Sequence, residues 1–331
     1  MSLQNFDPRR MSRRTFVGFG AGIGALTAGC AAPEPERRES LNLDFSRPED
    51  NLLAWIKLAS SLEDGVETCG YYKGKIIATT GNDVVNVPLF GYEGFGMSRV
   101  TRLPGGRFEN LHREVSYYTD LRSGDILETW YNPLIEETVK VYPVHNDPVN
   151  SYYAPTFKQT FGEEGASETL EFPFILPWII IGDKAIVSFD VHPRWPSPLT
   201  REQWPREYGG DWYKTTEMFQ IHTSLSALND PNLMKAPATG AWTKEAPWIP
   251  WMLMGETPGR LFYVTTVVML NSTDELPQNI RAFTERHFPR HMHAPEAWTE
   301  PNMTSFETFA REAQPAPVVV ESEDEPPPSE L

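Results

Sequence analysis

The chain has 331 residues and a formal net charge of −16, from 29 Lys and Arg against 45 Asp and Glu. The length is enough for one large domain or two small ones, and the acidic charge argues against nucleic acid or an anionic lipid surface as a partner. The only two cysteines are Cys30 and Cys69, so a disulfide framework is excluded.

The first thirty residues have the pattern of an export signal. Four arginines between positions 9 and 14 precede a short apolar run that is rich in glycine. The run is too short to cross a bilayer of about 30 Å as a helix. The string SRRTFV at residues 12–17 resembles the twin-arginine motif of proteins that are exported in the folded state. We therefore predict that residues 1–30 are a twin-arginine signal and that the mature protein works in the periplasm.

Cys30 leaves two interpretations of the cleavage open. The string LTAGC resembles a lipoprotein box, in which the cysteine receives a lipid that tethers the protein to the membrane. Its leucine stands one place too far from the cysteine, however, and the small residues through Ala32 equally suit an ordinary signal peptidase. Lipidation of Cys30 and an unmodified start at Ala31 or later are thus alternative predictions.

Composition divides the rest of the chain into three segments. Residues 31–44 are a Pro/Glu linker. Residues 312–331 combine prolines with acidic residues, which bury little apolar surface, and are predicted to be a disordered acidic tail. Residues 45–311 are predicted to form a single domain.

The elements of this domain are mostly short β segments. A first helix is predicted after Ser46, because SRPE forms a capping box with an early proline and the next apolar residues share one helical face. Short β segments separated by turn residues then follow. The clearest is the hairpin FPFILPWIIIGDKAIVSFDV, with Gly182 and Asp183 as a two-residue turn. A second capped helix is predicted from near Ser272 to before Pro289.

The predicted fold is mainly β. About ten short segments with linkers too short for βαβ crossovers predict an antiparallel meander. Because such a sheet must protect its edges, we expect it to close into a lipocalin-like or calycin-like barrel with a few peripheral helices. A two-sheet sandwich is the alternative. A barrel of this size can hold a small ligand inside.

Three stretches resemble one known family: LETWYNPLIEETVKVYPVHNDPVN, APWIPWMLMGETPGRLFYVTT and STDELPQNIRAFTERHFP. They are similar to the domain-of-unknown-function family numbered 1838, a group of exported bacterial proteins without an established activity. The resemblance covers most of residues 45–298 and rests on the strings WxNP, NDPVN and PWxxWMxMG. It implies an exported single-domain protein and brings no agreed catalytic residues.

Tryptophans concentrate in one part of the chain. Seven of the ten lie between Trp178 and Trp251, several of them beside prolines. Proline-bounded tryptophans suit ordered loops better than strand interiors, so we expect these loops to cap the barrel mouth and to line a hydrophobic ligand site. The alternative is that they plug the barrel as part of its core. The predicted ligand-binding residues are Tyr118, Trp130, Arg194, Trp195, Trp248, Trp251 and Met254.

A row of polar residues follows from strict alternation in RFENLHREVSYY. His112, Glu114, Ser116 and Tyr118 share one face of a strand. Pointing into a barrel, they would form an acid–base set. Facing water, they would be an ordinary solvated face, which is the commoner arrangement.

The preferred catalytic cluster lies at the strand end SFDVHPRWP. Alternation places Asp190, His192 and Arg194 on one face. His192 is predicted to carry the proton and Asp190 to orient it, while Arg194 pairs with an acidic group or stacks on an aromatic one. A structural ion pair between Asp190 and Arg194 is the alternative. Glu114 or His145 is predicted to supply the second acid–base group.

These residues predict a protein that takes up a small hydrophobic or aromatic molecule and acts on it by acid–base chemistry without a cofactor, as an isomerase, lyase or hydrolase. The alternative is a non-catalytic carrier or an envelope accessory lipoprotein. No metal is predicted: His287, His291 and His293 have a metal-like spacing, but no carboxylate completes it and Pro289 interrupts the helix that would align them. The sequence also lacks nucleotide-binding, zincin, α/β-hydrolase and c-type haem motifs.

Overall fold

The computed structural model describes residues 40–80, 87–161, 168–299 and 302–317. All of them belong to one compact unit that begins at residue 39. The predicted signal with Cys30, most of the linker and most of the predicted acidic tail lie outside the described residues. No helix in the described ranges is long and apolar enough to span a membrane.

The described residues form sixteen strands and four α-helices. The strands are β1 (Glu67–Thr80), β2 (Val87–Leu103), β3 (Arg107–Thr119), β4 (Thr129–Asn132), β5 (Glu137–Lys140), β6 (Val144–Asn146), β7 (Ser151–Tyr153), β8 (Thr156–Phe161), β9 (Glu168–Pro173), β10 (Trp178–Ile181), β11 (Lys184–Val191), β12 (Arg194–Pro196), β13 (Trp212–Lys214), β14 (Thr216–Ser224), β15 (Thr239–Ala246) and β16 (Gly259–Leu270). The helices are α1 (Pro48–Ala59), α2 (Leu225–Asn229), α3 (Gln278–His287) and α4 (Ser305–Glu312). The predicted mainly β class is confirmed.

One ten-stranded antiparallel sheet organises the molecule, in the order β10-β11-β14-β15-β16-β1-β2-β3-β6, with β7 also paired to β3. The antiparallel prediction is confirmed. The order is not a simple meander, because β1 lies between β2 and the last strand, β16. Within the described part of the chain no pairing joins β10 to β6 or β7, so the predicted closure into a barrel is not confirmed.

One face of this sheet, which we call the inner face, is covered by α1 and by the loop of residues 248–254. Glycines on this face allow the strands to approach closely. A Cβ on Gly74, Gly94 or Gly240 would overlap the backbone of the neighbouring strand. Glycine at such positions leaves room for close backbone approach and permits a sheet to bend.

The sheet is buried on both faces in its middle and exposed on its outer face at one end. On the inner face, Leu52 of α1 packs against Phe108 of β3. On the outer face, Ile280 of α3 packs against Phe95 of β2. Towards β10 the outer face lies open, and Met218 of β14 is 50% exposed. Polar pairs on the inner face are therefore mostly buried, whereas those on the outer face near β10 are exposed.

Helix α1 confirms the first predicted helix, but the predicted capping box does not form. Arg47 is the N-cap residue and makes no side-chain cap, while the Ser46 hydroxyl donates to Asp44 Oδ1 at 2.7 Å. Pro48 opens the helix with a ring that has no N–H, so one of the groups that a cap would satisfy is missing.

The other predicted elements are confirmed in part. The hairpin of β10 and β11 has the expected two-residue turn, in which Gly182 adopts the left-handed region with φ of +58°. The second helix is shorter than predicted. Ser272 caps only a 3₁₀ turn, and α3 begins after Pro277, whose ring cannot continue a preceding helix.

Helix α4 is missing from the sequence-based prediction, which ends the domain at residue 311. Thr304 Oγ1 accepts from the N–H of Glu307 at 3.2 Å, and the Glu307 carboxylate accepts from the N–H of Thr304 at 2.9 Å. This capping box, in the string TSFE, is the sequence signal that identifies the helix. It matters because α4 covers the candidate site.

Candidate functional site

The candidate site is an enclosed cavity of about 50 Å³ on the inner face. The sheet forms its floor, and the loop of residues 248–254 and helix α4 cover it. The cavity holds a few water molecules or one small chemical group. Aromatic side chains pack around it on the inner face. Its central lining residues are Tyr92, Tyr118, Tyr213, Lys244, Trp251 and Tyr263.

A buried ion pair lies at one side of the cavity. Glu217 on β14 and Lys244 on β15 are direct partners in the sheet, and their charged atoms are 3.3 Å apart. The two side chains are 16% and 18% exposed. Glu217 also accepts from Trp242 Nε1 at 3.1 Å and from Thr215 Oγ1 at 3.3 Å. The carboxylate is thus held by three neighbours.

Three aromatic rings surround the Lys244 ammonium. Its Nζ lies 5.7 to 5.9 Å from the ring centres of Tyr213, Trp242 and Tyr263, a distance at which the ring faces attract a cation. Burial disfavours the charge, but the neighbouring Tyr213 and Glu217 outweigh burial and raise the pKa of Lys244. The cavity therefore contains a protonated ammonium at neutral pH.

Four tyrosines from adjacent strands supply hydroxyl groups. Burial raises the pKa of Tyr72, Tyr92, Tyr118 and Tyr263. These side chains are therefore neutral and can donate hydrogen bonds. The Tyr263 hydroxyl lies near enough to that of Tyr118 to contribute to its raised pKa, and Ser116 Oγ donates to the Tyr92 hydroxyl at 2.6 Å. Three of these tyrosines, Tyr92, Tyr118 and Tyr263, line the cavity together with Lys244.

Trp251 closes the top of the cavity. Its ring is 3% exposed and lies 4.9 Å from the ring of Tyr118, nearly at right angles to it. Its indole N–H has no acceptor in hydrogen-bonding geometry among the described residues, although it is near enough to the Tyr118 hydroxyl to lower the pKa of that tyrosine. The indole N–H is therefore a further donor at this site.

Helix α4 covers the open side and is tied to β6. His145 Nε2 contacts Glu312 Oε2 at 2.9 Å, and Asn146 Nδ2 donates to Ser305 Oγ at 3.1 Å. The ring of Phe306 packs on Tyr213 at 4.2 Å. Helix α4 thus forms one wall of the cavity.

The structure brings several of the predicted site residues to this cavity. Tyr118, Trp251 and His145 line it. Trp130 stands behind it, with its ring 6.1 Å from that of Trp251. Met254 is buried, and its sulfur accepts from Asn132 Nδ2 at 3.3 Å.

Trp248 is a core residue instead. It is 7% exposed, and its Nε1 donates to the carbonyl oxygen of Thr257 at 2.8 Å. The alternative interpretation of the tryptophan-rich loops as a plug therefore describes Trp248, while Trp251 both plugs the inner face and lines the cavity.

The polar row of β3 points towards the inner face. Ser116 and Tyr118 are 0% and 2% exposed. Glu114 accepts from Asn146 Nδ2 at 2.7 Å, and its charge helps to raise the pKa of Tyr72. The row is thus not a solvated face, and Glu114 borders the tyrosine network.

The preferred catalytic cluster lies elsewhere. Asp190 Oδ2 and His192 Nε2 are 2.6 Å apart, so alternation placed them together as expected, but the side chains are 61% and 62% exposed. Arg194 stacks on the exposed ring of Trp212 at 4.6 Å. The structure does not join this pair to Glu114 or His145, whose contacts are with Asn146 and Glu312.

Trp195 lies between the two regions. Its ring packs on Tyr213 at 4.8 Å, and Tyr213 lines the cavity. Trp195 therefore supports a wall of the cavity without facing it.

Sequence reasoning missed the charged centre of the site. Glu217, Trp242, Lys244 and Tyr263 are absent from the predicted set. One signal was available: AWTKEA and GRLFYVTT alternate so that Trp242 and Lys244 share a face, as do Leu261 and Tyr263. A lysine on the aromatic face of a strand marks a buried cation.

The histidines near the end of α3 do not converge. His291 is buried at 6% exposure, while His287 and His293 are exposed. Among the described residues, no group of three or more His, Cys, Asp or Glu side chains is arranged to hold a metal ion.

The family model described as protein of unknown function (DUF1838) matches residues 65–313. The chain belongs to this family. No curated protein matches the chain. The region shared with DUF1838 contains every strand of the main sheet and helix α4, and it begins after α1. The cavity of this DUF1838 protein is therefore built within the family region.

Proposed function

We propose that this DUF1838 protein binds a small hydrophobic or aromatic molecule in the Lys244 cavity and acts on it by proton transfer without a cofactor. The observation that carries the proposal is the placement of one charged ammonium and several neutral hydroxyls around a single enclosed cavity. Such preorganised donors stabilise an oxygen on which negative charge develops during an isomerase, lyase or hydrolase reaction.

The donors have distinct roles in this proposal. Lys244 and Tyr263 hold the oxygen of the substrate, while Trp251 excludes water above it. Glu114, which borders the tyrosine network, is the carboxylate that acts as the base in this proposal. His145 lies at the rim of the cavity under α4 and supplies the second acid–base group. The predicted residues Glu114, His145 and Tyr118 thus keep a part in the chemistry, while Lys244 and Tyr263 replace His192 and Asp190 at its centre.

A non-catalytic carrier is the second candidate. It is favoured by the state of Glu217, the carboxylate beside Lys244, which is already held by Lys244, Trp242 and Thr215. A carboxylate in that position is not free to take a proton from a ligand. If Glu114 cannot reach the ligand, binding without reaction follows.

The test is native mass spectrometry of the exported protein, purified without denaturation. We expect a retained small molecule that the Tyr263→Phe variant holds less tightly. Turnover of the identified molecule then separates the enzyme from the carrier. The His192→Ala variant is the matched control, since its side chain is exposed. Absence of a retained ligand, together with equal behaviour of Tyr263→Phe and wild type in ligand screens, would refute the proposal.

We also propose that the protein reaches the periplasm by the twin-arginine route, on the strength of the SRRTFV string and the short apolar run after it. Replacing Arg13 and Arg14 by lysine should leave the precursor in the cytoplasm. Mass spectrometry of the mature N-terminus decides between a lipid on Cys30 and a start at Ala31 or later.

The container in this proposal is a barrel-like sheet. The support for it is the set of inner-face glycines at Gly74, Gly94 and Gly240, where the strands approach closely and the sheet can bend. A lipocalin-like protein shields its ligand from solvent inside a closed barrel. In this proposal α4 and the loop of residues 248–254 shield the ligand instead, so hydrogen bonds between β10 and β6 are not needed to close the sheet.

A further inference from the structure

The Lys244 ammonium has donors to spare. A lysine ammonium carries three N–H groups. Among the described residues, Glu217 is the carboxylate in ion-pair contact with Lys244, at 3.3 Å. The other close neighbours are ring faces, which attract the charge but do not replace hydrogen-bond acceptors. Part of the hydrogen-bonding capacity of this ammonium thus remains for another acceptor.

Glu217 does not occupy all three N–H groups of Lys244. One of its oxygens contacts Lys244 and Thr215, and the other accepts from Trp242 Nε1. The position of the carboxylate is fixed by β14 and β15, where Glu217 and Lys244 are direct partners. The Lys244 side chain lines the cavity, so an acceptor inside the cavity can use its remaining donors.

Other residues of the cavity lining also present donors. Tyr118 and Tyr263 are neutral phenols, and the indole N–H of Trp251 has no well-placed acceptor. The Glu312 carboxylate also lines the cavity, but on the α4 side it already contacts His145 Nε2 at 2.9 Å. A complementary ligand must therefore bring acceptor atoms, and an ionised carboxylate accepts several hydrogen bonds at once from such donors.

From these contacts we infer that the ligand of the Lys244 cavity is a small organic acid, held by its carboxylate between Lys244 and the tyrosine hydroxyls. This inference rests on the proposed function and specifies its substrate class. The apolar part of the acid lies against Trp251 and Phe309, which line the same cavity. The volume of about 50 Å³ favours a short acid, and a longer one enters only with displacement of α4.

The experiment compares acids with their neutral amides by isothermal titration of the mature protein. Acetate against acetamide and benzoate against benzamide are the two pairs, since each amide copies the shape of its acid without the charge. We expect at least one acid to bind about tenfold more tightly than its amide, the size of effect that one charge-assisted hydrogen bond produces.

The variant that tests the residue is Lys244→Met combined with Glu217→Gln. It removes both charges and leaves neither buried without a partner. We expect it to bind the acid no better than the amide, while circular dichroism shows a folded protein. Asp190→Asn is the control, because that carboxylate is exposed on the other face of the sheet, and it should keep the preference for the acid.

Three results would overturn the inference. An amide that binds as well as its acid shows that charge is not recognised, and the cavity then keeps its proposed function with a neutral ligand. A preference for the acid that survives in the double variant places recognition elsewhere. Failure of both acids to bind excludes the class for this cavity, while the retained molecule in native mass spectrometry still decides the proposed function by itself.

Discussion

Two pairs of a carboxylate and a basic side chain lie at neighbouring strands of the same sheet, one pair on the inner face and the other on the outer face. Glu217 and Lys244 on β14 and β15 are mostly buried under aromatic rings. Asp190 and His192, at the end of β11, are mostly exposed. The two pairs contain similar side chains, but the carboxylates Asp190 and Glu217 are offset by one residue in the strand register. Val191 is the sheet partner of Glu217, while Asp190 is the partner of Met218.

Because successive side chains on a strand point to opposite faces, this single step places Asp190 outside and Glu217 inside. The inner face carries rings and a cover, so a charge there loses water and gains fixed partners. The outer face at this end of the sheet has no cover among the described residues. An attractive set of side chains is therefore a weak guide to a site until the covered face is known.

The largest expected effect concerns the cover of the inner face. Trp251→Ala removes a ring that is 3% exposed and leaves a void beside Tyr118. We expect a loss of about 3–5 kcal/mol in the free energy of unfolding, measured in urea. Trp212→Ala, at a ring that is 46% exposed, should cost less than about 1 kcal/mol. Equal losses would mean that Trp251 is not a packed part of the site.

Breaking the buried pair comes next. Lys244→Met leaves the Glu217 carboxylate without its cation at 16% exposure, and we expect a loss of about 3 kcal/mol at pH 7. Adding Glu217→Gln should restore most of that stability, since no buried charge then remains unpaired. Asp190→Asn in the exposed pair should cost less than about 1 kcal/mol. A double variant as unstable as Lys244→Met would contradict this account of the pair.

The buried side chain of His291 makes the stability of the protein depend on pH. Burial lowers the pKa of His291 to about 4, whereas a histidine in an unfolded chain titrates near about 6.5. Between these values the unfolded state binds more protons, so this residue makes the protein less stable as the pH falls from 6.5 towards 4.

The His291→Gln variant isolates that contribution. The advantage of the wild type over the variant in free energy of unfolding should shrink by about 2 kcal/mol between pH 8 and pH 4.5, because only the wild type must keep an imidazole neutral. Asp147, His145 and Arg113 also act on this ring, and all three are kept in both proteins. A difference that does not vary with pH would show that His291 does not stay neutral in the fold.

The smallest expected effect is that of His192→Ala. The side chain is 62% exposed, so we expect a change of less than about 1 kcal/mol in stability and unchanged turnover of any substrate identified from the cavity. This measurement is nonetheless the sharpest test of the comparison. If turnover disappears with stability intact, the exposed pair is the active site and the Lys244 cavity is not.

Local patterns in the sequence were sufficient for much of the fold. Alternation and short linkers predicted the antiparallel sheet, and Gly182 with Asp183 predicted the tightest hairpin, because each depends only on neighbouring residues. Apolar periodicity predicted α1 even though its expected cap does not form. The family resemblance, carried by strings such as PWxxWMxMG, agrees with the family model over residues 65–313.

The candidate site was predicted only in part, and its ion pair was missed. Tyr118, Trp251, Glu114 and His145 were identified from aromatic and polar patterns, and all border the cavity or its tyrosine network. Lys244 was not predicted as a site residue, because a lysine in a strand normally lies on a solvated face. Its burial depends on Glu217, 27 positions earlier in the chain, and on α4, which is more distant still.

From the amino-acid sequence alone come the strand periodicity, the turn positions and the family, since these depend on nearby side chains. Only the tertiary structure decided which strand faces are covered, and at the β10 end of the sheet this is the inner face alone. Alternation defines both faces equally, and the choice between them is made by pairing β1 with β16 and by folding α1, the Trp251 loop and α4 over one side. That choice buries Glu217 with Lys244 and leaves Asp190 with His192 in water.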